Sequence, residues 1–260
     1  MKLSPKIEKA IIIASIVALV LSLIPILYGL GRAFVCDRFV TKGDSMEPTM
    51  HTGEAMYVKK WIMGARIYTK FDFETDQLHC FRMPGFRKLR VGDVAVFNYP
   101  FGWKHREIGF KINYVYAKRC VGAPGDTLSV VDSHYKNSSC GQVGVPQSSE
   151  HFLRMLPDSL LLESKSLRAG QFAGEQRNWT IKNMGPIVVP GRNVTVMLDS
   201  VALRHYELVL QYENESLEGL QGKEYTFKEN YYFFAGDNVA NSRDSRYFGF
   251  VPEDFVVGVI

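Results

Sequence analysis

Apolar positions follow three different patterns along the chain. From Ala10 to Gly31 they run without a charge. At 1.5 Å per residue, a helix of that length crosses the roughly 30 Å hydrocarbon core of a bilayer. Pro25 should kink it, which membrane helices tolerate. From about Phe34 to Asp126, apolar and polar residues alternate in short bursts, the period of half-buried strands. These are Phe34-Val35, Phe39-Val40, Met56-Tyr57-Val58, the run Val94–Tyr99 after a Gly92-Asp93 turn, and Ile112–Val121. In the last run, Ile112, Tyr114, Tyr116, Lys118 and Cys120 fall on one face, and Arg119 falls on the other with Val115 and Ala117. From Leu128 to Thr226 polar loops such as Asp132–Ser139 separate short β-rich runs such as Ile187–Val189 and Val194–Leu198. A strong β segment, Glu229–Ala235, then leads into the polar loop Gly236–Arg246 and a last strand at Val256–Ile260.

The pattern predicts a mainly β protein with one N-terminal transmembrane helix. Residues 1–32 form a tail and anchor, 33–128 and 225–260 two parts of one β domain, and 129–224 an inserted β-rich module. Residues 61–90 fit no period. Trp61, Ile62, Met63, Tyr68 and Phe71 lie there among charges. Two readings are open: a surface loop, or a segment resting among lipid headgroups, where Trp and Tyr are favoured.

Composition changes this picture in a few places. The apolar run is too long for the 7–15-residue core of a cleavable signal, and Gly31-Arg32-Ala33 is a poor cleavage site, so the run reads as an uncleaved anchor. Lys2, Lys6 and Lys9 precede it with only Glu8 against them, while Arg32 and Arg38 follow. That balance weakly favours a cytoplasmic N-terminus and puts the β domain on the other side. The net charge of +4 is spread without a dense Lys/Arg block, so nucleic acid is not an expected partner, whereas an anionic lipid surface is compatible. The four cysteines, Cys36, Cys80, Cys120 and Cys140, match no zinc spacing, and no metal or cofactor is expected. Cys80 with Cys140 is the preferred pair if a disulfide forms; none forming is an equal alternative.

The candidate chemistry begins at Gly43-Asp44-Ser45-Met46-Glu47-Pro48-Thr49, shortly after the anchor. A serine hydroxyl needs a base, and none of the six histidines sits in a triad-like setting. A lysine can serve if burial keeps its amine neutral. Lys118 is the lysine on a strongly apolar strand face; the alternative is that it projects into solvent beside Arg119. Ser242 could hydrogen-bond that amine, and Asp244 and Arg246 could pair to brace their loop.

Four blocks, in order, resemble those of the type I signal peptidases (leader peptidases), membrane serine proteases with a Ser-Lys dyad. They are Ser45-Met46-Glu47-Pro48-Thr49, Arg90-Val91-Gly92-Asp93-Val94, Lys118 through Asp126, and Gly236-Asp237-Asn238 through Ser242, Asp244, Ser245 and Arg246. The resemblance covers roughly residues 10–60, 88–128 and 225–258. It implies a signal-peptidase-like β catalytic domain with Ser45 as nucleophile and Lys118 as general base. Ser242 would orient Lys118, and Asp244 and Arg246 would hold the loop. The Ser45 backbone N–H would serve as an oxyanion donor. Some members add a serine two residues before the nucleophile, where this chain has Gly43. The implied substrates are exported preproteins cut after small-x-small motifs, in pockets assigned here to Phe39, Thr41, Met46, Tyr116 and Ala117. The implied location is the cell membrane, with catalysis on the non-cytoplasmic side. Two alternatives are a dedicated Ser-Lys processing protease with few substrates and a catalytically silent, membrane-anchored relative.

Overall fold

The computed structural model describes residues 4–70, 76–101, 107–144, 148–164, 167–170 and 178–260. Helix α1 (Pro5–Leu30) is the predicted apolar span. It continues through Pro25 and ends in one turn of π-helix over Gly31–Val35. None of its residues is buried against the rest of the protein.

The β domain follows directly. Strand β1 (Cys36–Val40) pairs antiparallel with β2 (Ala55–Lys59), and the intervening loop carries Ser45. A small hairpin, β3 (Arg66–Tyr68) and β4 (Cys80–Arg82), stands apart. Next come β5 (Val94–Asn98) and β6 (Val115–Gly122), the strand that bears Lys118. The module begins with β7 (Thr127–Val131), β8 (His134–Asn137) and β9 (Gly141–Val143). It goes on through helices α2 (Ser148–Met155) and α3 (Asp158–Glu163), β10 (Met184–Val188), β11 (Thr195–Met197), α4 (Ser200–Tyr212) and β12 (Glu224–Thr226). The chain closes with β13 (Tyr231–Ala235), the short helix α5 (Ser245–Phe248), β14 (Val251–Pro252) and β15 (Val256–Val259).

The main sheet has seven strands in the order β1-β2-β15-β5-β6-β13-β14, so the last strand of the chain is inserted between β2 and β5. Period two sorts its two faces. Ala95 and Phe97 of β5 pack with Cys120, Phe234 and Phe255 on one side, while Val96 packs with Met46, Met56, Val58 and Val257 on the other. Phe97 and Phe234 stack with centroids 4.2 Å apart. Neighbouring strands lie about 4.8 Å apart, so β2 and β6, three steps apart, would be separated by about 14 Å on a flat sheet. Curling of the sheet, together with the reach of the β1–β2 loop, closes that gap.

The module is less purely β than its sequence suggests. Its four-stranded sheet, β10-β7-β8-β9, shares a core with α4. The stretch read as a polar loop at 132–139 is a hairpin: Asp132 (φ 49°) and Ser133 (φ 69°) make the tight turn, and β8 follows. Polar residues can occupy β8 because Lys136 faces solvent and the buried Asn137 has internal partners, donating to Val121 O at 3.0 Å and to Asp126 Oδ2 at 2.8 Å. In α4, His205, Tyr206, Val209 and Leu210 are buried on one face, and Asp199 caps its first N–H groups from Val201 and Ala202. All four cysteines are free thiols, so Cys80 and Cys140 are not bridged: Cys80 is half-buried on β4 and Cys140 exposed beyond β8.

Candidate active site

The loop carrying Ser45 is closed at its base and pinned at its tip. Thr41 Oγ1 donates to Glu54 O at 3.1 Å, and Thr41 N to the same carbonyl at 3.0 Å. Met46, beside the serine, is buried in the Met56–Val58 core. Gly43 has φ +94°, a conformation glycine adopts without strain. From the far end of the chain, the loop after β13 docks onto this tip. Asn238 N donates to Ser45 O at 3.1 Å, and Asn238 Nδ2 to Asp44 O at 3.3 Å. Asn241 Nδ2 reaches both Asp44 carboxylate oxygens at 2.9 Å. Gly236 is the closest approach, since a Cβ there would overlap both Ser242 Oγ and Ser45 O. Among the described residues, the Ser45 N–H donates to no protein acceptor, which leaves it available to a ligand.

Lys118 lies opposite Ala95 in the β5–β6 register and is 5% exposed. Its Nζ sits 5.4 Å from the Tyr116 ring centroid and is in hydrogen-bond contact with Ser45 Oγ. Burial lowers its pKa to about 8, only partly opposed by the negative charge of Asp244. An amine with that pKa keeps a neutral fraction of about one in five near pH 7.4, against about one in a thousand for an ordinary lysine, and in that form can accept a hydroxyl proton.

Asp244 and Arg246 form a fully buried, two-point ion pair, with Nε to Oδ1 and Nη2 to Oδ2 both at 2.8 Å. Burial works against ionising Asp244, but the Arg246 guanidinium prevails and holds the carboxyl below its usual range. The pair organises the loop: Asp244 Oδ2 accepts from Gly236 N at 2.9 Å, and Arg246 Nη2 donates to Val239 O at 2.9 Å. Ser242 Oγ is buried near this carboxylate, yet makes no hydrogen bond of ordinary geometry to Lys118 or any other described group. The expected Ser242–Lys118 bond is therefore not formed in this structure.

A second ion pair escaped the sequence reading. Arg119 donates through Nε to Asp237 Oδ1 at 2.7 Å and through Nη2 to Oδ2 at 2.6 Å. Its Nη1 donates to Gly92 O at 2.7 Å, and Thr49 Oγ1 donates to Asp237 Oδ2. All four sequence blocks meet at this clamp. Its residues were inside the quoted motifs, and the signal that could have found them is the opposite charge of Arg119, next to the lysine, and Asp237, next to Gly236.

Of the five expected pocket residues, Phe39, Met46 and Ala117 pack in one cluster, Tyr116 lies beside Lys118, and Thr41 closes the base of the serine loop. Tyr116 shares the Lys118 face and packs among Tyr99, Tyr114 and Phe248. Ala117, on the opposite face of β6, packs with Phe39 against the Met46 core. Met46 is buried, and the Thr41 hydroxyl hydrogen-bonds Glu54 O in closing the loop. An open groove of about 410 Å³ lies elsewhere, between Met63, Met83, Arg87 and Glu253.

Comparison with known proteins bears on what such a dyad serves. Residues 10–260 match the signal peptidase family, peptidase S26. The chain belongs to that family. Relatives include signal peptidase I of Buchnera aphidicola subsp. Baizongia pistaciae, 25% identical over 241 residues, covering 88% of this chain and 69% of that protein. Signal peptidase I of Pseudomonas aeruginosa is 26% identical over 237 residues, covering 87% of this chain and 64% of the relative. A crystal structure of a signal peptidase I from Enterococcus faecalis aligns with 67% of this chain and 97% of that one, at 21% identity and a TM-score of 0.29. The assignment rests on the family match, which makes this signal peptidase homologue a serine peptidase.

Proposed function

We propose that this protein is a membrane-anchored endopeptidase that removes signal peptides from exported preproteins, with Ser45 as nucleophile and Lys118 as general base. The observation that carries the reading is the buried Lys118 amine in hydrogen-bond contact with Ser45 Oγ. In its neutral form Nζ takes the hydroxyl proton as Oγ attacks the scissile carbonyl, and the Ser45 N–H receives the developing oxyanion. The resulting ammonium gives its proton to the departing amine, leaving an acyl-enzyme ester. Lys118 then removes a proton from water, which attacks the ester, and Ser45 recovers its proton as the trimmed signal peptide leaves. Asp244, Arg246, Asp237 and Arg119 hold the loop against the serine turn and touch neither reacting atom.

α1 crosses the membrane with Lys6 and Lys9 on the cytoplasmic side, so the β domain stands on the opposite face. Enzyme and signal peptide then share the bilayer and meet by lateral diffusion, and cleavage follows a small-x-small motif. Full-length protein in phospholipid vesicles, given a preprotein with such a motif, tests this. The wild type should cut once at the motif, Ser45→Ala should be inactive, and Lys118→Ala should lose about 10²–10⁴ in rate with an unchanged circular dichroism spectrum. Undiminished turnover by either variant contradicts the assignment.

A further inference from the structure

We infer that the inserted module is a working part of the active site: Tyr135 of β8 and the segment 167–170 are positioning residues that hold the catalytic loop against Ser45. The inference rests on the reading of Ser45 and Lys118 as the catalytic pair.

The loop after β13 is held from two directions. Toward the serine turn, Asn238 donates through its backbone N to Ser45 O and through Nδ2 to Asp44 O. Toward the module, Val239, the very next residue, is 2% exposed and shares a core with Tyr135, Leu153, Ala169 and Trp179, all of them module residues. Ala240 packs on the same core. The residue that touches the nucleophile's carbonyl and the residue that enters the module core are therefore one peptide bond apart.

Arg246 ties the module to the same loop. Asp244 and Val239 O take up its Nε and Nη2, while Nη1 has no hydrogen-bond partner among the described groups. A guanidinium buried this fully needs favourable surroundings beyond one carboxylate. The Tyr135 ring supplies some of them, its centroid 5.9 Å from Arg246 Cζ, and the Tyr247 ring lies at the same distance. The backbone is tied as well, because Gly170 N donates to Arg246 O at 2.5 Å. Gly170 is itself fixed. Its φ is +72°, a Cβ there would overlap the Trp179 ring, and Ala169 N donates to Trp179 O at 3.1 Å. Without these contacts the loop could pivot, and a shift of about 1 Å at reacting groups can cost about 10²-fold in rate. Tyr135 and Gly170 act through Arg246 and Val239 rather than on the reacting atoms.

The test compares the full-length wild type with Tyr135→Leu, Tyr135→Phe and Val209→Ala, the last of which loosens the module core from α4 instead. Tyr135→Met replaces the leucine variant if that chain does not fold. Cleavage of a preprotein in vesicles gives kcat and KM across pH. Tyr135→Leu should lower kcat about tenfold while KM stays within about twofold of the wild type. The acid limb of its profile should move to higher pH, because a loosened loop lets water reach Lys118. Tyr135→Phe keeps the ring and should restore both. Val209→Ala should melt below the wild type, as Tyr135→Leu does, yet keep the wild-type kcat. An unchanged kcat in Tyr135→Leu overturns the proposal, and so does an equal loss in Val209→Ala, which would mean that the module contributes stability alone. Equal losses in the leucine and phenylalanine variants also overturn it, since the ring would then not be the brace. Amide hydrogen exchange over residues 236–246 reads the brace without activity: it should quicken in Tyr135→Leu and not in Val209→Ala. That exchange pattern, with a wild type that cuts no preprotein, would refute the peptidase reading and leave the brace standing.

Discussion

The decisive residue is a lysine kept out of water. Its folded pKa of about 8 lies below the ordinary 10.5, so the fold disfavours the ammonium. That cost is fully present below about pH 8 and is relieved as pH rises through about 10.5, because in that window the unfolded chain holds the proton and the folded one does not. The shift corresponds to about 3 kcal/mol. Lys118→Met should therefore melt at a higher temperature than the wild type at neutral pH, and the two melting curves should converge as pH approaches about 10.5. A constant gap across that range would mean the amine is not buried as described. Sequence alone offered Ser45 and Lys118 because motif and strand period both selected them. It missed the Arg119–Asp237 clamp because period two turns Arg119 away from Lys118, and its partner lies 118 positions along the chain.

At the scale of elements, strand β6 carries Lys118, and the loop after β13 pins the loop that carries Ser45. Asp244→Ala would leave Arg246 buried and unpaired, a change expected to cost about 3–5 kcal/mol, readable as a lower denaturation midpoint. Gly236→Ala should act more selectively. Its methyl group would overlap Ser242 Oγ and Ser45 O, so the serine turn must shift, and cleavage should fall far more than stability does. Asp199→Ala, by contrast, removes only the α4 cap, should cost about 1 kcal/mol, and should leave the cleavage rate unchanged. That helix was legible in principle from Asp199 followed by the apolar spacing of Ala202, Tyr206, Val209 and Leu210. The sequence reading gave this stretch no element of its own within a β-rich module, because propensity is a weak signal beside tertiary packing. β8 was hidden for the opposite reason: its buried Asn137 finds partners only once Asp126 and Val121 are folded beside it. How Phe39, Met46 and Ala117 come to pack together was not legible, since it depends on the curl of the sheet, which no local pattern encodes.

For the molecule as a whole, one anchor and one curled sheet bring the two ends of the chain together: the serine follows α1, and the loop that pins it precedes the last strand. The anchor was the clearest feature of the sequence, because an uncharged stretch of that length has few other uses. Alkaline extraction of membranes should leave the protein in the pellet, and its release into the supernatant would refute an integral anchor. The most direct measurement is the pH dependence of kcat/KM for the full chain cleaving a preprotein in vesicles. With neutral Lys118 as the base, kcat/KM should rise about tenfold per pH unit in the acid range and level off near pH 8, where the amine titrates. A flat profile from about pH 6 to about pH 9 would contradict a lysine base.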